Sequence, residues 1–241
     1  MANLDSRSML ADANGILLVD KPVRMSAHDV LKAVKQRFNL AKIGHGGTLE
    51  PNATGLVVLL VGDATCVAND VMGGDRAFRA VVRLGRTTNT QDAEGETIAE
   101  KPFDGVTREA LEAALPEFRG DIFQTPPPFS VIKRGDTADY GIVPTDPDEA
   151  KARLVHVYRL AVAAFEPPFV TFDLFCTKGV CVRALAHDLG QLLGCGASLE
   201  TLHRTACAGF KVDDALGFMD VVKMDAVSFK HALRPVAGAF A

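Results

Sequence analysis

Apolar and polar positions along the chain sort into short blocks with different periods. Residues 15–19, GILLV, and 56–61, LVVLLV, are unbroken apolar runs of strand length, as expected for strands covered on both faces. Between them Val30, Leu31, Val34 and Phe38 recur at helical spacing behind Ser26 and Asp29, a capping-box-like start, so 27–38 is predicted as an amphipathic helix. Phe78, Ala80, Val82 and Leu84 alternate with Arg79, Val81 and Arg83, which predicts a strand with one mostly apolar face. Thr107 is placed to cap a helix running to about Phe118, with Pro116 ending it. QTPPP at 124–128 is an extended entry to a strand, FSVIK. Strands are predicted again at 154–165 and 169–177, the second with Val170, Phe172, Leu174 and Cys176 on one face. A helix follows at 181–193 with Val182, Leu185, Leu189, Leu192 and Leu193 inward. Residues 134–152 are polar and rich in Asp, Pro and Gly, and are expected to form a long mobile loop. Strands and helices do not alternate strictly, so the expected fold is α+β, with a large mixed or antiparallel sheet and flanking helices.

Composition narrows this little. The 241 residues suit one large domain or two small ones, and 48% hydrophobic with 23% charged residues is ordinary for a globular chain. No apolar run reaches the roughly 20 residues of a membrane span, and the N-terminus lacks the apolar core of a signal peptide, so a cytoplasmic protein is expected. Five cysteines, an odd number without a CxxC pair, speak against zinc and against a disulfide framework. The net charge of −4 argues against a generally basic nucleic-acid surface. Locally the picture differs. Residues 21–42 carry Lys21, Arg24, Lys32, Lys35, Arg37 and Lys42 against Asp29 alone, and 76–86 carry Arg76, Arg79, Arg83 and Arg86 with no acid in that run. These segments could face RNA, or they could be solvated faces of helices and strands.

The candidate chemistry lies in two places. GHGGTLEPNATG at 44–55 is a loop by composition, joining the basic helix to the buried 56–61 run. It lacks the Lys-Ser/Thr ending of a phosphate-binding P-loop, and GxSxG and HExxH are absent from the chain. It does carry one carboxylate, Glu50, with His45 and Thr48 nearby; a lone loop glutamate is more often a solvated surface residue. The second place is Arg183, in KGVCVRALAHDLG, among apolar positions at the start of a helix. A buried arginine needs a carboxylate partner, and either a structural aspartate or Glu50 would serve.

Six ordered segments resemble the TruB family of tRNA pseudouridine synthases. They are NGILLVDKP (14–22), KIGHGGTLEPNATGLVVLLVGDAT (42–65), FRAVVRLGRTTNTQDAEG (78–95), QTPPPFSVIK (124–133), CTKGVCVRALAHDLGQLLG (176–194) and LHRTACAGF (202–210). The resemblance implies a pseudouridine synthase fold over 14–218, with 134–152 as a thumb-like loop insertion. A flexible N-terminus at 1–13 and a C-terminal extension at 219–241, without the PUA-like domain of many bacterial members, complete the expected organisation.

The resemblance also implies a site. Glu50 stands where the family's GHxGTLDPxAxG loop has its essential Asp, and Phe78 stands where a Tyr stacks on the target base. Asp92 matches the Asp of the TxTxD motif, Arg183 the Arg of KGTYxRxLxxDLG, and Val180-Cys181 replace the Thr-Tyr pair of that motif. On this resemblance Glu50, Arg183, Phe78 and Asp92 are the catalytic set, and His45, Lys21, Thr48, Lys133, Tyr140 and Leu202 contact the RNA or its flipped base. The implied reaction isomerises the T-loop uridine of tRNA (position 55 by tRNA convention), using base flipping and a carboxylate, with no metal and no cofactor. The implied partner is the tRNA T-arm or another structured RNA, with no membrane, bound by a monomer. The departures at 50 and 78, the missing arginine shortly after Tyr140 and the expected lack of the PUA-like domain admit a second reading, a catalytically silent paralogue that binds RNA or assists its folding.

Overall fold

The unbroken apolar runs become strands because both of their faces find cover. In the computed structural model β1 (Gly15–Lys21) has Ile16, Leu17, Leu18 and Val19 at no more than 2% exposure. Ser26 accepts from the Asp29 N–H and Asp29 from the Ser26 N–H, a reciprocal cap that starts α1 (Ala27–Phe38). The structure describes residues 10, 12–127, 129–133, 140–144 and 151–236, with 129–133 and 140–144 as backbone only. The chain continues through β2 (Ile43–His45), β3 (Thr54–Val61), α2 (Ala68–Gly73), β4 (Arg76–Leu84), β5 (Arg86–Thr88), β6 (Thr97–Glu100) and α3 (Arg108–Ala114). Then come β7 (Gly120–Gln124), β8 (Phe129–Lys133), β9 (Tyr140–Pro144), β10 (Arg153–Glu166), β11 (Phe169–Cys176) and α4 (Val182–Leu192). The last elements are β12 (Ala197–Cys207), β13 (Phe210–Lys211), β14 (Leu216–Gly217), α5 (Phe218–Lys223) and α6 (Ala226–Ala232).

Contacts divide the chain into two compact units, residues 1–76 with 204–241, and residues 77–203. In the first unit β3 pairs antiparallel with β1 over its whole length, from Gly15↔Val61 to Lys21↔Gly55, and β14 joins β1 in parallel, so this sheet is mixed. One apolar cluster gathers Ile16, Leu18, Leu56, Val58, Leu60, Val71, Cys207 and Phe210. Helix α1 buries Ala27, Val30, Val34 and Phe38, and Phe38 stacks on Phe229 of α6 with ring centroids 3.9 Å apart. Full burial of each such side chain contributes roughly 1.5–3 kcal/mol.

In the second unit the strand order is β12-β4-β11-β10-β7. β10 and β11 form a long antiparallel hairpin, with register shifts at Val157/Arg159 and Val162/Ala164. The predicted inward face of β11, Val170, Phe172, Leu174 and Cys176, is at most 3% exposed. It meets Val182, Leu185, Ala186 and Leu189 of α4, together with Leu111, Leu115 and Phe118. Thr107 does cap α3, accepting from the Ala110 N–H at 3.2 Å, and the last turn before Phe118 tightens to a 3-10 helix.

One expectation changes here. Within the 134–152 segment read as loop, Tyr140–Pro144 is strand β9, paired antiparallel with β8 from Phe129↔Pro144 to Lys133↔Tyr140. The polar composition that suggested loop lies on either side of this strand, while the strand itself is YGIVP, short enough to be hidden by its flanks.

Candidate active site

The loop carrying Glu50 is built on short strands and three buried cations. β2 pairs with β3 at Gly44↔Leu60 and His45↔Leu59, and the Gly46 N–H donates to Val58 O at 2.8 Å. A Cβ at Gly46 would stand 2.1 Å from Val71 Cγ1, so the chain can pass there only as glycine. His45 Nδ1 accepts from the Gly47 N–H at 3.3 Å. The Ala53 N–H closes a turn onto Glu50 O at 3.1 Å, and buried Leu49 anchors the turn from below, its carbonyl accepting from the Ala27 N–H at 3.4 Å. Glu50 is half-buried and Thr48 exposed.

Lys21 was expected at an RNA surface. It is instead fully buried, and its ammonium donates to the carbonyls of Pro22 (2.9 Å), Met25, Pro51 (3.5 Å) and Ala53. It closes the Glu50 turn from inside and is not an exposed phosphate contact. Burial lowers its pKa to about 8, and the nearby Arg204 guanidinium pushes the same way. Arg204 is 2% exposed and donates Nε to Leu56 O and Nη1 to Thr48 O, each at 2.8 Å. Burial, reinforced by Arg76, lowers its pKa to about 10, so it stays protonated at neutrality. Arg76 spreads its donors over the carbonyls of Gly46 (3.4 Å), Val71 (3.2 Å), Met72 (3.1 Å), Gly74 and Asp75 (3.2 Å). Carbonyl oxygens thus take the place of carboxylates as partners; hydrogen bonds to charged groups contribute about 1.5–3 kcal/mol each.

The second unit holds Arg183 in the first turn of α4, 5% exposed. Its Nη1 donates to Thr90 O at 2.9 Å, and its Nε lies 3.9 Å from Asp92 Oδ2. Asp92 is equally buried. Its Oδ1 accepts from the Thr90 hydroxyl at 2.6 Å and from the Glu94 N–H at 3.1 Å, while its carbonyl accepts from the Thr88 hydroxyl at 2.7 Å. Leu199 of β12 bridges to Asp92 and donates its N–H to Gln91 O at 3.0 Å. Asp92 is thereby locked in a tight turn whose carboxylate faces the guanidinium. The entry to α4 has no side-chain cap from Cys181. The amide of buried Gln124 supplies one from afar, accepting from the Cys181 N–H at 2.9 Å and donating to Cys181 O at 3.2 Å. Phe78, Val180 and Leu202 all lie partly buried against the margin of this unit's core.

Lys133 and Tyr140 pair through their backbones in the β8–β9 hairpin, and their side chains lie outside the described residues. Among the described residues no group of three His, Cys, Asp or Glu is gathered to hold a metal. No described helix is long and apolar enough to cross a membrane.

Comparison with known proteins decides the family. Residues 35–182 match the family model "TruB family pseudouridylate synthase (N terminal domain)", and residues 183–240 match "tRNA pseudouridylate synthase B C-terminal domain". The chain belongs to the TruB family. A protein of Opitutus terrae called tRNA pseudouridine synthase B is 39% identical over 226 residues, 93% of this chain and 94% of its own. One of the same name from Pseudomonas aeruginosa is 41% identical over 91% of this chain and 72% of its own. Among solved structures, a chain of the "Crystal Structure of a Cbf5-Nop10-Gar1 Complex" superposes with a TM-score of 0.72 at 25% identity, over 95% of this TruB-family chain and 62% of that one. A chain from "Structure of H/ACA RNP bound to a substrate RNA containing 2'-deoxyuridine" gives a TM-score of 0.70 at 23% identity, covering 95% of this chain and 61% of its own. The pseudouridine synthase fold expected from the six segments is therefore the fold of this chain.

Periodicity and motif matching passed over Arg204, Gln124 and the Arg76 fan. Arg204 sits in LHRTACAGF, where it reads as one more strand cation. The available signal was its place between apolar-facing neighbours in a segment otherwise short of charge.

Proposed function

We propose that this TruB-family chain is a tRNA pseudouridine synthase, an isomerase acting on the T-loop uridine. The observation that carries the reading is the likeness over more than 90% of this chain to proteins called tRNA pseudouridine synthase B, joined to a loop that still has a carboxylate at the family's position. In the reaction the bond between ribose C1′ and uracil N1 breaks, the base turns, and C1′ bonds to C5. The proton at C5 is lost and N1 gains one, so the product is an isomer of the substrate. Glu50 is the carboxylate that engages the ribose, as nucleophile or base. An arginine paired with such a carboxylate keeps it ionised and oriented, and the family resemblance gives that role to Arg183. Asp92 acts through Arg183 and is a positioning residue, which refines its expected place in the catalytic set. Phe78 stacks on the flipped base, an interaction worth ~1–3 kcal/mol.

Burial of Lys21 shifts RNA contact towards exposed groups such as Thr48 and Lys42. The deciding experiment incubates the purified protein with an unmodified tRNA transcript and maps pseudouridine by chemical labelling, beside Glu50→Ala. Modification of the T-loop uridine by wild type alone is expected. Binding without turnover in both proteins would replace this reading with the silent RNA-binding one, which the Glu at position 50 keeps in view.

A further inference from the structure

The loop that presents Glu50 is tied down by groups to which the family resemblance above gives no role. Arg204 reaches both limbs of the loop with one planar guanidinium: Nη1 holds Thr48 O, two residues before Glu50, and Nε holds Leu56 O, six residues after it. A planar fork fixes the separation and the tilt of the two carbonyls at once, which a flexible ammonium cannot do. The backbone of residue 204 closes on the same limb. Gly55 has φ +102°, and a Cβ there would stand 2.4 Å from Arg204 O. Arg76 holds the earlier shoulder at Gly46 O and ties it to the end of α2 through the carbonyls of Val71 and Met72. Arg204 is buried and its donors go to backbone, so neither RNA contact nor surface solvation accounts for it.

We infer that Arg204, seconded by Arg76, is the positioning residue that sets how far Glu50 projects, by fixing the separation of Thr48 and Leu56. Given the proposed synthase activity, on which the kinetic part of this inference rests, the loop shifts when the fork is lost and the carboxylate moves with it. A misplacement of about 1 Å at a reacting group costs on the order of 100-fold in rate. Lysine at 204 keeps the charge but lacks the planar fork that sets the tilt of both carbonyls.

The test compares wild type, Arg204→Lys and Arg204→Met by single-turnover pseudouridine formation on an unmodified tRNA transcript, by tRNA affinity, and by amide hydrogen exchange. Arg204→Met is expected to lose roughly 100-fold in the chemical step and Arg204→Lys roughly 10-fold, with tRNA affinity within about 2-fold of wild type. The Ala53 amide, which closes the Glu50 turn, is expected to lose protection in both variants while amides of β1 and β3 keep theirs. Should Arg204→Met fail to fold, Arg204→Lys with Arg76→Lys carries the same comparison. Wild-type rates in the folded variants, or a rate loss matched by equal loss of tRNA affinity, overturn the inference. If wild type itself shows no turnover, the synthase reading fails, and the exchange data alone decide: unchanged Ala53 protection overturns the positioning role, and selective loss sustains it.

Discussion

The two charged groups to which the proposed reaction gives roles, one in each unit, are prepared in opposite ways. Glu50, the anion, rides on a loop whose backbone is gripped by buried cations: Lys21 at Pro51 and Ala53, Arg204 at Thr48 and Leu56, and Arg76 at Gly46. Arg183, the cation, is backed by the Asp92 carboxylate and the Thr90 carbonyl. In each unit the functional charge is oriented by groups of the other polarity that never touch substrate. The difference lies in rigidity. Arg183 is held at its guanidinium, and the loop that carries Glu50 is held at its backbone carbonyls, so the reach of the carboxylate depends on the loop as well as on side-chain length.

That contrast can be broken at either end. The largest effect is expected on the directly held side. Arg183→Met removes the cation proposed to keep Glu50 ionised and is expected to lower the single-turnover rate by about 100- to 1,000-fold. Asp92→Asn keeps the shape of the turn and should lose less, roughly 10-fold, because Thr90 O still holds Nη1. If the asparagine variant is as impaired as the methionine variant, Asp92 takes part in chemistry beyond orientation.

Glu50→Asp tests the loop side. The charge is preserved, and the carboxylate draws back by about 1.5 Å, the length of one methylene bond. A pinned backbone cannot follow the shorter side chain. Restoring the family's reach is expected to raise the rate about 10-fold, read by the same single-turnover assay with tRNA affinity unchanged. A fall in rate would mean that the cage already sets the loop back to suit glutamate.

The last effect is a pH dependence of stability. The folded chain releases the Lys21 proton at about 8, whereas the unfolded chain keeps it to 10.5. Between these values the unfolded state binds more protons, so Lys21 favours folding increasingly as pH rises through the window. Below pH 8 both states are protonated and the cost of the buried charge is constant. Thermal unfolding of wild type is expected to gain about 6–12 °C relative to Lys21→Met between pH 8 and 10.5, the shift that the ~3 kcal/mol of a gap from 10.5 to about 8 produces in a chain of this size. Parallel pH profiles would show that Lys21 is not destabilised by burial.

Sequence alone determined the elements whose signal is local. The runs 15–19 and 56–61, the capped helix at 27–38, the alternation through β4 and β11 and the helix at 182–192 are all legible because side-chain period and capping chemistry act between near neighbours. Motif order carried the family, and with it the proposed roles of Glu50, Arg183, Phe78 and Asp92. Strand β12 went unread because its polar positions, Glu200, Thr201, His203 and Arg204, blur the alternation, and β9 because its loop-like flanks hide it. The partners of the buried cations belong wholly to tertiary structure. Arg204 and Thr48 are 156 residues apart, and Arg183 and Thr90 are 93 apart. A backbone carbonyl has no residue identity, so an acceptor of that kind leaves no mark in the sequence. The strand pairing and packing that bury an arginine decide which carbonyls it must satisfy, and only in the folded chain does Lys21 turn from a surface charge into the clamp of a loop.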